Sequence, residues 1–228
     1  MQLIKTPARI ESKYIANFKG INPFLWHIKN ARFFKSYDER EVNSLYYDDI
    51  KFTSINDNLS GITPRTKYRL RWYKDKNGNQ GKFQFEKKIK NDITGYKEII
   101  IIDNNINIFD KEISIKNLQK ITGYSNEKIF PIHYSPVLIC SYIREYYEAK
   151  DGSRFTIDKN IKFKRINNKF IDTSKYNFLS TNQIIMELKF DPSNKTTMSK
   201  LIKKLPMPSI RCSKYLIGHS KLFGVSYI

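Results

Sequence analysis

Through much of the middle of this chain, apolar and polar residues alternate with a period of two, the spacing that sets successive side chains on opposite faces of a strand. From Arg65 to Tyr73 cations trade places with large apolar residues. A turn-rich segment, Asp75 to Gly81, separates this run from Lys82 to Lys88, which alternates again, so the pair is expected as an antiparallel hairpin. The same pattern predicts a second hairpin from Ser141 to Ala149 and Arg154 to Ile161, turning at Asp151 and Gly152, where glycine readily takes positive φ. Further strands are expected at Arg9 to Ile15, Val42 to Tyr47, Tyr96 to Ile102, near Lys162 to Phe170, and at Gln183 to Phe190. Helical signals are fewer: Ile21 to Ala31, Ser114 to Ile121, and Ser193 to Leu205, which opens after Asp191-Pro192 and stops at Pro206. The expected class is α+β, mostly antiparallel β, and without repeats or a linker-like segment residues 1–228 read as one domain.

The faces of these strands carry the chemistry. Arg65, Lys67, Arg69 and Arg71 point one way at steps of about 6.6 Å, and Tyr68, Leu70 and Trp72 point the other. Glu187 and Lys189 likewise share a face opposite Met186, Leu188 and Phe190; Glu86 with Lys88, Glu11 with Lys13, and Arg154 with Thr156 and Asp158 repeat the arrangement. An ordinary antiparallel sheet with one wet face would also alternate. Here, however, the polar faces hold Arg and Glu/Lys pairs, and few helices are available to cover the apolar ones. A sheet closed into a barrel, charges inward and apolar residues outward beneath helices, satisfies both facts.

Composition sharpens this picture. The 228 residues include 41 Lys and Arg against 22 Asp and Glu, a formal charge of +19 that attracts polyanions. With 40% hydrophobic and 14% aromatic residues the chain is far from a disordered composition. Cys140 and Cys212, without a CxxC pair, exclude a disulfide scaffold and a Cys-rich zinc module and are expected reduced. No apolar stretch approaches a membrane span and the start lacks the apolar core of a secretory signal, so a soluble, cytoplasmic protein is expected. The run Gly78 to Lys82 lacks the spacing of a phosphate-binding loop and precedes a strand, so it reads as a turn. His27, His133 and His219 have no metal-ligand spacing and receive no role. Tyr14, Tyr46, Tyr142, Tyr146 and Tyr147 are read as packing residues ahead of base-stacking ones.

Seven pieces in order then carry a family resemblance: Arg9 to Tyr14 (RIESKY), Val42 to Asp48 (VNSLYYD), Arg65 to Tyr73 (RTKYRLRWY), Phe85 to Lys88 (FEKK), Tyr142 to Tyr146 (YIREY) with Arg154 to Asp158 (RFTID), Met186 to Lys189 (MELK), and Ser213 to Tyr215 (SKY). The chain resembles the VTC domain, the polyphosphate polymerase branch of the triphosphate tunnel metalloenzyme superfamily. The resemblance implies a closed eight-stranded antiparallel tunnel with peripheral helices. It implies transfer of the γ-phosphoryl group of ATP, or of another triphosphate, to inorganic polyphosphate with Mn²⁺ or Mg²⁺; no nucleic-acid partner is expected. Carried over motif by motif, the phosphate cradle is Lys13, Arg69, Arg71, Lys88, Arg144, Arg154 and Lys214. Tyr142 and Ser213 lie within hydrogen-bonding reach of phosphate, Arg65, Lys67 and Lys189 are supporting cations, and Glu187, with Glu11, is the metal ligand.

This cast suits the chemistry, because phosphoryl transfer asks mainly for positioning and charge neutralisation. Arginine forks bind phosphate oxygens bidentately, lysines act as point charges, and a hard divalent cation takes carboxylate oxygens. One departure bears on the reaction. Hydrolytic relatives usually open with two acids ahead of the lysine, whereas here Arg9 stands in place of the first, leaving fewer carboxylates to recruit a second metal and activate water. A metal-dependent triphosphatase on the same tunnel and a non-catalytic polyanion-binding module are the competing readings.

Overall fold

The structure, a computed structural model, describes residues 3–102, 112–166 and 178–227. Strands β1 (Leu3–Lys5) and β2 (Arg9–Ala16) precede helix α1 (Ile21–Asn30), then come β3 (Phe34–Asp48), α2 (Thr53–Ser60), β4 (Arg65–Lys74), β5 (Phe83–Asn91) and β6 (Thr94–Ile102). After α3 (Ile115–Thr122) follow β7 (Ser135–Glu148), β8 (Arg154–Arg165), β9 (Leu179–Ser180), β10 (Ile184–Phe190), α4 (Lys195–Lys204) and α5 (Lys214–Phe223). Neighbours pair antiparallel in the order β6, β2, β10, β8, β7, β3, β4, β5, and β5 pairs back to β6, so eight strands close into a barrel. β1 adds to β6 and β9 to β8 outside this ring.

The expected closed eight-stranded barrel with peripheral helices is therefore the fold, and the two-residue alternation explains its sidedness. Tyr68, Leu70 and Trp72 of β4, with Phe83 and Phe85 of β5, face outward into a cluster capped by Ile115 and Leu118 of α3. On the far side, Tyr14, Phe155, Ile157, Met186 and Leu188 pack beneath Phe24 and Ile28 of α1 and Met198 of α4. In α1 the buried Ile21, Phe24 and Ile28 recur at the three- and four-residue spacing that puts them on one helix face. Among the described residues no helix is long and apolar enough to cross a membrane.

A third cluster lies within the barrel. Tyr215 of α5 packs against Val42, Tyr46, Cys140, Tyr142, Ile161, Phe163 and Ile185, so this helix fills one part of the lumen. Both cysteines are free, as expected, and Cys140 is buried in this plug. Strand β8 reaches both environments because Asn160 sits in the left-handed region at φ 52°. Asn is among the few residues that tolerate it. The partners of β7 jump there from Lys162 to Lys159 as β7 moves from Ser141 to Ile143, an extra residue on β8 that defines a bulge. Inward parity thus passes from Thr156 and Asp158 to Ile161 and Phe163.

Several expectations change here. The separate strand near Lys162 to Phe170 is the continuation of β8 as far as Arg165, and residues 167–170 lie outside the described residues. Strands β3 and β7 begin well before Val42 and Ser141: the exposed N-terminal residues of β3 carry no clean alternation, and in β7 the run Val137 to Cys140 is apolar and buried on both faces. Helices α2 and α5 lack a sequence signal. The first is rich in Ser, Asn and Asp, poor helix formers, and is held by Asp49, whose carboxylate accepts from the Thr53 amide at 2.9 Å, and by Asp48, which accepts from the Ser54 amide at 3.0 Å. The second carries Gly218 mid-helix, and a Cβ there would stand 2.5 Å from the Phe163 ring. Gly218→Ala is expected to cost about 1–3 kcal/mol through overpacking against Phe163; a thermal unfolding midpoint equal to the wild type would show that the helix shifts freely.

Candidate functional site

The inward faces converge on a cavity of about 230 Å³ lined, among the described residues, by twelve cations and two carboxylates. Thirteen of the fourteen residues expected at the site line it: Glu11 and Lys13 from β2, Arg65, Lys67, Arg69 and Arg71 from β4, and Lys88 from β5. Tyr142 and Arg144 come from β7, Glu187 and Lys189 from β10, and Ser213 and Lys214 from the start of α5. Arg154 is not among them. It lies half exposed at the start of β8 with Glu148 Oε1 3.2 Å from its Nε. Arg9 lies elsewhere too, in a surface recess with Asp151 and Asp191.

Most of these cations are held by buried carboxylates in three nests. Glu86, 1% exposed on β5, accepts from Nε of Arg69 at 2.7 Å and from its terminal nitrogen, and from Lys97 at 3.2 Å; Arg71 stands 3.9 Å away. Asp158 accepts both arms of Arg144, at 2.6 and 2.8 Å, and Lys214 at 2.5 Å. Glu11 accepts from Lys88 at 2.7 Å, while Glu187 lies 3.5 Å from Lys13 and 3.2 Å from Lys189. The neighbouring strands explain the last group, because β2 and β10 pair Lys13 with Glu187 and Glu11 with Lys189.

The electrostatics follow from burial and pairing. Burial alone would raise the carboxyl groups, yet the cations outweigh it: Glu86 and Glu187 fall well below the usual carboxylate range and Glu11 falls to about 2. For the lysines, burial pushes Lys67 and Lys97 well down and Lys88 to about 8, so anion binding there favours the charged form. Lys214, with Asp158 beside it, is raised despite burial. Tyr142 ties the nests together: its hydroxyl accepts from Arg71 at 3.1 Å, while Lys214 and Arg144 stand 4.6 and 5.2 Å from its ring centre. In the structure, therefore, this hydroxyl positions Arg71.

Several residues that line the cavity or hold its cations from behind had no role assigned from sequence. Glu86 and Asp158 were visible as acids sharing a strand face with Lys88 and Arg154, the signal that marked Glu187, but that parity leaves open which cation each meets. Lys97 sits beside Glu98, so both faces of its strand look charged and alternation cannot sort them. Lys90 and Arg211 also line the cavity, the latter from a segment outside any helix or strand.

A VTC domain profile matches residues 8–223. The chain belongs to the VTC domain family. No curated protein matches it in sequence. Among solved structures, the VTC domain is similar to the PH1819 protein of Pyrococcus horikoshii OT3 at 13% identity and TM-score 0.54, over 93% of this chain and 99% of that one. The PH1012 protein of the same organism is 13% identical at TM-score 0.53, covering 92% of this chain and 98% of its own. HpAC1 from Hippeastrum, described as having a dominant triphosphatase activity, is 12% identical at TM-score 0.52, over 94% of this chain and 95% of its own. At such identities these likenesses establish a shared tunnel fold.

As to a metal in this VTC domain, the described residues contain no group of three or more His, Cys, Asp or Glu side chains placed to hold an ion. Glu11 and Glu187 do offer oxygen donors in one cavity. That donor set fits a hard cation held by one or two carboxylates together with phosphate oxygens, and it does not fit a cage made by protein alone. Glu86 serves the cations instead. Glu86→Gln leaves Arg69, Arg71 and Lys97 without their charge partner and should cost about 3 kcal/mol. Tripolyphosphate should restore more of the lost melting temperature than chloride of equal ionic strength; an unaltered melting temperature without any anion would mean that the nest contributes nothing to stability.

Proposed function

We propose that this VTC domain is a metal-assisted phosphotransferase that moves the γ-phosphoryl group of ATP onto an inorganic polyphosphate chain within the barrel. The observation that carries this reading is the excess of cations over carboxylates in an enclosed cavity, on a chain of the VTC family. An enclosed lumen favours a slim phosphate chain over the sugars and bases of nucleic acid.

Arg69, Arg71 and Arg144 are turned into the cavity by carboxylates or hydroxyls that hold one edge of each guanidinium. Their remaining donors are free to meet phosphate oxygens, and no reorganisation is needed as charge develops. Lys13, Lys88 and Lys214 add point charges around the same space. In the transfer, the bond from the γ-phosphorus to its bridging oxygen breaks, ADP leaves, and a terminal oxygen of the acceptor chain forms the new bond. A divalent cation bound with the phosphates by Glu187 and Glu11 would neutralise charge on the transferring oxygens. Arg9 lies away from the cavity, and among the described residues the carboxylates that line it are this pair.

A second reading, triphosphate hydrolysis, is favoured by the triphosphatase activity described for the similar HpAC1 fold. Phosphorus NMR with ATP and Mn²⁺ or Mg²⁺, with and without a short polyphosphate primer, separates the two. Growth of internal-chain phosphate supports transfer, free orthophosphate alone supports hydrolysis, and an unchanged spectrum would leave a binding module.

The two kinds of site residue should also separate by mutation. Glu187→Gln keeps the shape and removes a carboxylate, so metal-free triphosphate should bind at least as well while turnover falls by about 10²-fold. Arg69→Ala should instead weaken triphosphate binding itself. Near-normal metal-dependent turnover in Glu187→Gln would make that carboxylate structural, a partner for Lys13 and Lys189 alone.

A further inference from the structure

Toward one end of the barrel the inward wall changes from arginine to tyrosine. Read backward along β3, Ser44 pairs with Arg71 of β4 and Val42 with Tyr73. On the other side Val42 pairs with Tyr142 of β7, Arg40 with Arg144, and Tyr37 with Tyr146. Tyr73 and Tyr146 therefore stand two residues beyond Arg71 and Arg144 on the same strand faces. Tyr37, Arg40, Tyr73 and Tyr146 do not line the cavity itself; they lie at its mouth.

Three of these side chains meet closely. Tyr37 and Arg40 are an odd number of residues apart and would face opposite ways in a regular strand, but the register of β3 shifts between them. The guanidinium of Arg40 consequently lies 5.6 Å from the ring centre of Tyr37 and 6.0 Å from that of Tyr146. The two rings stand 5.9 Å apart and are perpendicular, at 88°, so they leave ring faces uncovered by each other. Among the described residues no carboxylate lies within ion-pair distance of Arg40. Tyr37 is 52% exposed. The other tyrosines weighed for stacking are taken up by packing: Tyr14 meets Phe24, Tyr46 stacks on Tyr215, Tyr147 meets Phe155, and Tyr142 holds Arg71.

We infer that Tyr37, Arg40 and Tyr146, with Tyr73 beside them, form a stacking platform for the base of the donor nucleotide, just outside the phosphate cavity. This rests on the reading of ATP as the donor. Every base has a π face that an aromatic ring or a guanidinium plane can cover, whatever its hydrogen-bonding edge. Two residues along a strand advance about 6.6 Å, which leaves room for a ribose between a phosphate at Arg71 and Arg144 and a base at Tyr73 and Tyr146. The phosphates thus enter the charged lumen while the sugar and base remain at the mouth. Burial, with Tyr73 among the neighbours, raises Tyr146 to about 12 against the pull of Arg144, so its ring stacks as a neutral phenol.

The test is calorimetric titration of metal-free ATP and of tripolyphosphate into the wild type, Tyr37→Ala, Tyr37→Phe and Arg40→Ala. Tyr37→Ala changes no charge, so ATP should bind about tenfold more weakly, on the scale of losing one stacked base, while tripolyphosphate changes less than twofold. Tyr37→Phe keeps the ring and should keep the wild-type affinity for ATP. Arg40→Ala should weaken ATP by more than it weakens tripolyphosphate. Unchanged ATP affinity in Tyr37→Ala, or an equal loss for both ligands, would overturn the platform, and tripolyphosphate binding by the wild type would still uphold the phosphate cavity. A wild type that bound neither ligand would overturn both readings.

Discussion

Mutual repulsion among cations enclosed by a barrel is the constraint on which the rest of this structure depends. Among the described residues twelve cationic side chains face a cavity of about 230 Å³. Taking one charge from water is costly, and gathering many of one sign adds repulsion to desolvation. The chain answers with carboxylates set on the same inward faces. Glu86, Asp158, Glu11 and Glu187 each sit within ion-pair distance of two or more cations, and burial makes each contact stronger than it would be in water. Compensation is incomplete, and the remainder is a standing attraction for anions.

Other parts of the fold serve that enclosure. Outward apolar faces are covered by α1 and α4 on one side and α3 on the other, so closing the sheet hides the charges and the apolar residues in one step. Helix α5 fills part of the lumen with Tyr215 and brings Lys214 to Asp158. The segment before it is stitched to β2, where the Lys13 carbonyl accepts from the Ile210 amide at 2.8 Å and Lys13 Nζ donates to the Cys212 carbonyl at 3.2 Å. Asp48 links this region to α2 by accepting from Tyr215 at 2.9 Å and from the Ser54 amide. Residues far apart in sequence thus share one wall of the site.

The residues that read clearly in the sequence are those whose role depends on strand parity. Arg69, Arg71, Lys88, Glu187 and Lys189 were expected at the site because each sits on a polar face opposite an apolar one, and the barrel turns that face inward. The same rule also marked Arg154, yet Arg154 lies at the very start of β8, where strand parity no longer delivers a side chain into the lumen, and it pairs with Glu148. Lys97 and Arg211 escaped for the opposite reason: the first is flanked by a second charge and the second lies outside the strands, so neither carries a period to read.

What the sequence determined by itself was the kind of surface each strand would make, because alternation is a local property of the backbone and holds whatever the strand pairs with. It also pointed to the sign of those faces, since Arg65, Lys67, Arg69 and Arg71 recur at every second residue along one strand. Only the tertiary structure decided which acid neutralises which base: Glu86 meets Lys97 across the β5–β6 hairpin, Glu11 and Glu187 meet Lys88 and Lys13 from strands far apart in sequence, and Asp158 meets Lys214 only because α5 enters the barrel. Closure likewise decided that α2 and α5 are helices, for their stability comes from Asp48, Asp49 and the inner face of the barrel and not from their own propensity. Parity is read along the chain; compensation of charge is settled across it.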